Sequence, residues 1–157
     1  MPGFIHSELD LKLLVLYILD RAAGPLTFLQ IMELALCDAG VDYFSLTQAV
    51  DHMVTTGQLE KSGDRYALTE KGRRNSEICC TSLPYSVRMH CDDNLAGVNE
   101  ALRLEAQVQT GVETNEDGTV TLRLCLNDLG SPLLKLELLV PDHPRAAAMA
   151  ARFRADP

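Results

Sequence analysis

QLEKSGDRYALTEKGRR, Gln58 to Arg74, reads as a tight β-hairpin running straight into the start of a basic helix. Gln58 to Lys61 and Arg65 to Leu68 are short runs of alternating character, and Ser62-Gly63-Asp64 between them supplies residues that tolerate a sharp reversal. Leu59, Tyr66 and Leu68 can face a core while Lys61 and Arg65 stay in solvent beside the tip. Thr69 is placed to cap the helix that follows. From Lys61 to Arg74, five basic residues (Lys61, Arg65, Lys71, Arg73, Arg74) stand against two acidic ones, Asp64 and Glu70. The hairpin and the helix start therefore form a local positive patch.

The rest of the chain is acidic. A net charge of −8 over 157 residues argues against a protein that coats nucleic acid nonspecifically, because that mode depends on neutralising phosphates with Lys and Arg. It leaves room for a regulator with a local basic surface. A composition 46% hydrophobic and 23% charged is that of a folded chain with one ordinary core or two small ones. The most apolar run, Leu13 to Leu19, is far shorter than the ~20 residues that span a bilayer. No leader pattern precedes it, so a cytoplasmic protein is expected. Five cysteines (Cys37, Cys79, Cys80, Cys91, Cys125) form neither a disulfide framework nor a CxxC pair, and reduced, mostly buried thiols are expected.

Working towards the N-terminus, Ser7 to Ala22 reads as a helix capped by Ser7 and ended by Gly24-Pro25. Between Leu13 and Leu19 it is apolar on every side, so it belongs in the middle of a core or in a subunit interface. Thr27 opens a second helix with a capping-box pattern to Gln30, Gly40 is placed as its C′ residue, and Leu29, Ile31, Met32 and Leu36 are its expected inner face. Ser45 repeats the device with Gln48, and the third helix runs to Gly57 with Leu46, Ala49, Val50, Met53 and Val54 inward. Ser45, Thr47, Gln48, Asp51, His52 and Thr55 are left outward. A fourth helix is expected from about Glu70 to Thr81. Three helices, a hairpin and a fourth helix are the order of a winged helix-turn-helix.

Beyond Pro84, Val87, Cys91, Leu95, Val98 and Leu102 draw one apolar stripe along a long helix, weakened locally by Asp92-Asp93-Asn94 and Gly97. Three strands follow, Ala106 to Thr114, Thr119 to Asn127 and Leu133 to Val140, with turns at Asn115 to Gly118 and Leu129 to Pro132. Alternation of Val120, Leu122, Leu124 and Leu126, and of Leu134, Leu136, Leu138 and Val140, makes this an antiparallel sheet with one buried face. A last helix, Arg145 to Arg154, packs on it through Met149, Ala150 and Phe153. The expected fold class is α+β: a winged helix-turn-helix domain over residues 1–82, then a small α/β dimerisation or effector module over 83–157.

Leu68-Thr69-Glu70-Lys71-Gly72-Arg73 resembles the strand-end and helix-start element of the MarR and PadR regulator classes. The whole chain is similar in layout to an uncharacterised family of small winged-helix proteins found mainly in Gram-positive bacteria. The opening FIHSELDLKLLVLYIL (Phe4 to Leu19), the LTEKGR element and LPYSVR (Leu83 to Arg88) carry that similarity. The resemblance implies a transcriptional regulator, working as a homodimer on double-stranded DNA through the wing and the 45–56 helix. Candidate DNA-contacting residues are Ser45, Thr47, Gln48, Lys61, Arg65, Lys71, Arg73 and Arg74. The first helix and the Val87 to Leu102 stripe are the candidate dimer surfaces.

One departure matters. The 45–56 helix holds no Lys or Arg and turns Asp51 outward, so base readout there would rest on Ser45, Thr47 and Gln48. Capping alone also accounts for Ser45 and Gln48, and pairing with Glu70 or Glu77 for Arg73 and Arg74. The alternative reading is a protein-interaction module that kept the winged-helix fold and lost DNA binding. Cys79-Cys80 with His90-Cys91 invites a metal or redox site, against the plainer reading of small core thiols. His6, His52 and His143 read as surface or cap residues. No phosphate loop, nucleophile elbow or HExxH is present, so neither catalysis nor a cofactor is expected.

Overall fold

Ser7 opens α1 (Glu8–Arg21) with a reciprocal cap: its hydroxyl accepts from the Asp10 N–H at 3.1 Å while Asp10 accepts from the Ser7 N–H at 3.0 Å. Leu14, Val15 and Ile18 are fully buried, and Leu11, Leu16, Tyr17 and Leu19 nearly so, because α2 (Phe28–Ala35), α3 (Tyr43–Thr55), α4 (Glu70–Cys79) and β3 (Arg65–Leu68) all pack against this one helix. An all-round apolar helix is stable only under such cover, each large side chain contributing about 2 kcal/mol by burial. The computed structural model describes residues 3–128 and 131–157 of the chain. They form two units, residues 1–100 and 101–157, in an α+β fold.

In the first unit β1 (Leu26–Thr27) leads into α2 (Phe28–Ala35), then α3 (Tyr43–Thr55), the hairpin β2 (Leu59–Ser62) and β3 (Arg65–Leu68), and α4 (Glu70–Cys79) with a 3-10 turn at Cys80–Ser82. The sheet order is β1-β3-β2, all antiparallel; β1, too short to show as a pattern, was not expected from the sequence. The Thr27 capping box to Gln30 forms as expected. Gly40 is not the C′ residue of α2, which stops at Ala35. The chain instead turns around the buried Asp38, whose carboxylate accepts the N–H groups of Phe4, Ile5 and Gly40 at 2.7, 3.2 and 2.8 Å. The inner face of α2 also differs: Ile31, Leu34 and Ala35 are buried, while Leu29 and Leu36 stand out in solvent.

α5 (Tyr85–Gln107) is one unbroken helix. Two of its polar residues, Asp92 and Asn99, clamp the end of α1. Asp92 accepts from the Tyr17 hydroxyl at 2.9 Å and pairs with Arg21 at 3.3 Å, and Asn99 bridges the Ala23 N–H and the Arg21 carbonyl at 2.7 and 2.9 Å. Val87, Cys91 and Leu95 are buried, as the stripe requires.

The second unit carries β4 (Val108–Thr114), β5 (Val120–Asp128) and β6 (Ser131–Val140) in the order β4-β5-β6, and α6 (His143–Ala155) capped by Asp142. Gly118, at φ +82, closes the first hairpin where a left-handed residue is needed. The second turn falls partly on residues 129 and 130, outside the described residues; Ser131 and Pro132 belong to β6 rather than to the turn. Val120, Leu122, Leu124, Val140, Ala146 and Ala150 form the core, with Leu138 and Phe153 against it. Met149, expected on the sheet, is 40% exposed. No helix among the described residues is long and apolar enough to cross a membrane.

Candidate nucleic-acid interface

Ser62 pairs with Arg65, so the tip of the hairpin is the two-residue loop Gly63-Asp64, with Gly63 at φ +63 as such a loop demands. Lys61 is exposed opposite Tyr66 and rests its ammonium over that ring, 5.3 Å from the centroid. Arg65 is half-buried and reaches back to the Pro25 carbonyl at 3.4 Å. Leu59, Tyr66 and Leu68 fill the inner side of the hairpin as the alternation requires.

α3 begins three residues before its expected start. Asp42, not Ser45, is the cap, its carboxylate accepting the Ser45 N–H at 2.9 Å. That bond holds the Asp42 carboxyl below the ordinary aspartate range. Ser45 is consequently inside the first turn. Thr47 donates its hydroxyl to the Tyr43 carbonyl at 2.8 Å, and Gln48 is exposed. Ser45 and Gln48 line a cleft of about 340 Å³ with Ser7, Glu8, Leu11 and Asp42. Two carboxylates make this cleft hostile to a phosphate. Hydrogen bonds from Lys12, then His52, hold Glu8 ionised, its pKa lowered to about 2.

The earlier start also places Tyr43 and Phe44 on α3, 63% and 69% exposed; Leu29 and Leu36 of the preceding helix-turn segment are exposed as well. Phe28 meets the Tyr43 ring edge-on at 5.6 Å between centroids. Asp42-x-x-Ser45 was the signal that would have found this end of the helix. α3 and the hairpin together carry Asp42, Asp51, Glu60 and Asp64 against Lys61 and Arg65.

α4 holds the other three candidates. Lys71 donates to the Thr56 carbonyl at 2.7 Å, Arg74 pairs with Glu70, and Arg73 is exposed at the rim of a cleft beside Asp20, Gly24 and Pro25. The Cys79-Cys80 and His90-Cys91 pairs do not converge. Cys91 lies against Cys37 instead, Sγ to Sγ at 3.0 Å, a contact the spacing gave no sign of. Among the described residues no three metal-ligating side chains come together.

No curated protein and no solved structure matches the chain. Its family model, described as Domain of unknown function (DUF4364), matches residues 11–157, and the chain belongs to that family.

Proposed function

We propose that the chain is a winged helix-turn-helix regulator that binds double-stranded DNA with its first unit. The observation that carries this reading is the order α1-β1-α2-α3-β2-β3-α4 with the sheet β1-β3-β2 and a two-residue hairpin tip beside an exposed lysine. In such a domain α3 enters the major groove and the hairpin lies over the adjacent backbone. Lys61, Arg65, Arg73 and Arg74 then meet phosphate, Lys71 contributes less because its ammonium holds α3, and Thr47 and Gln48 face base edges. Phe44, exposed on the first turn of α3, suits the methyl group of a thymine.

The four carboxylates of the hairpin, α3 and its cap, and the exposed Tyr43 and Phe44 on the first turn of α3, favour a second reading in which the same surface docks another protein. Selection from fragments of the source genome, followed by titration at several salt concentrations, separates the two. A regulator enriches defined sites and loses log affinity at a slope of about −0.9 per phosphate contacted. Joint neutralisation of Lys61, Arg65, Arg73 and Arg74 then abolishes binding. Absence of micromolar binding at low salt sinks the DNA reading.

A further inference from the structure

β6 lies at the end of the order β4-β5-β6, so one side of Ser131–Val140 has no strand beside it among the described residues. Edge strands are usually kept short, or guarded by charge, proline or bulges, because they invite pairing. This one is ten residues long; Pro132 and a register shift lie at its N-terminal end and Lys135 and Glu137 on its outer face, yet Leu133 and Leu139 are 66% and 76% exposed. α6 lies mainly over β4 and β5, which leaves Leu134 and Leu136 on the inner face half-uncovered.

Its sequence is self-complementary. Residues 133–139 read LLKLELL, a palindrome about Leu136 in which only the charge inverts, Lys135 against Glu137. In an antiparallel pair, opposed residues share a sheet face and point their main-chain groups the same way relative to the ladder. A two-fold axis between two copies of one strand must therefore place some residue opposite itself. Centred on Lys135 or Glu137, the axis opposes like charges; centred on Leu134, it sets Lys135 against a leucine and Glu137 against Ser131; centred on Leu138, it sets Glu137 against a leucine and carries Lys135 past the end of the strand. Of the axes from Leu134 to Leu138, only the one at Leu136 opposes unlike charges and sets leucine against leucine from 133 to 139.

We propose that β6 pairs antiparallel with β6 of a second copy about a two-fold axis at Leu136, making one six-stranded sheet. Lys135 then opposes Glu137 of the other copy, Leu133 opposes Leu139, and Leu134 opposes Leu138. On the outer face Arg123 already bridges Glu113 and Glu137, at 3.1 and 2.8 Å, while Lys135 makes no ion pair among the described residues. The second copy's Lys135 extends that row in alternating sign. On the inner face the half-uncovered leucines of both copies form one continuous apolar strip.

This gives the homodimer expected from the family resemblance a surface other than the first helix or the Val87 to Leu102 stripe, and it is independent of DNA. Sedimentation equilibrium of the full chain should show a dimer, and Lys135→Glu, an exposed change that sets like charges opposite each other twice, should raise its dissociation constant at least about tenfold. Leu136→Cys should oxidise to a dimer linked 136 to 136, read by peptide mass spectrometry. Leu134→Cys, facing Leu138, should not, and the native Cys125 lies on the other face, in register with Lys135. A chain monomeric at tens of micromolar, a dimer indifferent to Lys135→Glu, or equal crosslinking at 134 and 136 would each overturn the proposal. A dimer without DNA affinity leaves it standing and sinks the regulator reading; sequence-specific DNA binding by a chain that ignores Lys135→Glu does the reverse.

Discussion

Lys71, on α4, donates its ammonium to the main-chain carbonyl of Thr56 at 2.7 Å, at the C-terminal end of α3. The carbonyls at a helix end lack partners within the helix and carry its negative pole, so a cation there satisfies one group and complements the dipole. The basic residue that looked from the sequence like a phosphate contact is thus first a brace between two helices.

Lys71→Ala should lower stability by ~0.5 kcal/mol in urea denaturation, the usual worth of a cation at a helix C-terminus. If DNA is bound, the same variant should change the salt slope less than Lys61→Ala does. A full unit of slope lost at Lys71 would show that the ammonium leaves Thr56 on binding.

Gly72 is fixed by contact, not by conformation. A Cβ there would lie 2.2 Å from the Gln58 carbonyl oxygen and 3.1 Å from Leu68 Cδ2. That carbonyl cannot retreat, because it accepts the Thr69 N–H at 3.1 Å. Gly72→Ala should therefore destabilise by about 2 kcal/mol despite alanine's better helix propensity. A neutral or stabilised variant would mean that α4 can slide on the hairpin.

Asp38 should make the first unit sensitive to acid. Burial pushes its carboxyl upward, but the N–H groups of Phe4, Gly40 and Ile5 outweigh this and hold it below the ordinary 3.8. A depressed carboxylate contributes stability that is complete above 3.8 and is lost as pH falls through its lower folded value. Asp38→Asn should cost about 2 kcal/mol near neutrality, with the gap to the parent closing in strong acid. A gap that stays constant with pH would refute the assignment.

Cys37 and Cys91 share one hydrogen bond unequally. The contact with Cys91 lowers the half-buried Cys37 thiol, and the same contact, with burial, raises the fully buried Cys91. Since the thiolate is the nucleophile, native-state alkylation near neutral pH should mark Cys37 well before Cys91. Cys91→Ala, which removes the donor, should slow labelling of Cys37 severalfold. An unchanged rate at Cys37 would show that the sulfur contact does not govern it.

Local signals carried the element order well. The Ser7 and Thr27 caps, the Gly63 tip and the period-two leucines of β5 act between residues close in sequence, and each forms where expected, whereas on β6 the register forms but Leu134 and Leu136 stay 39% exposed. The misses came where two local signals competed. Ser45 with Gln48 resembles a capping box, but Asp42, three residues earlier, starts the helix by accepting the Ser45 N–H and leaves Ser45 inside the first turn. Leu29 and Leu36 are as apolar as Ile31 and Leu34, and only the direction from which α1 approaches α2 decides which pair is covered.

What the amino-acid order determined alone is the alternation of helix and strand, the hairpin tip and the charge-inverted palindrome of β6, because these rest on periodicity and backbone preference. Tertiary structure decided the rest. The two-residue β1, the hold of Asp38 on Phe4 and Ile5, the brace from Lys71 to Thr56 and the meeting of Cys37 with Cys91 join residues 15 to 54 positions apart. No local preference encodes such contacts; they exist only once burial of α1 has drawn the surrounding elements to one place.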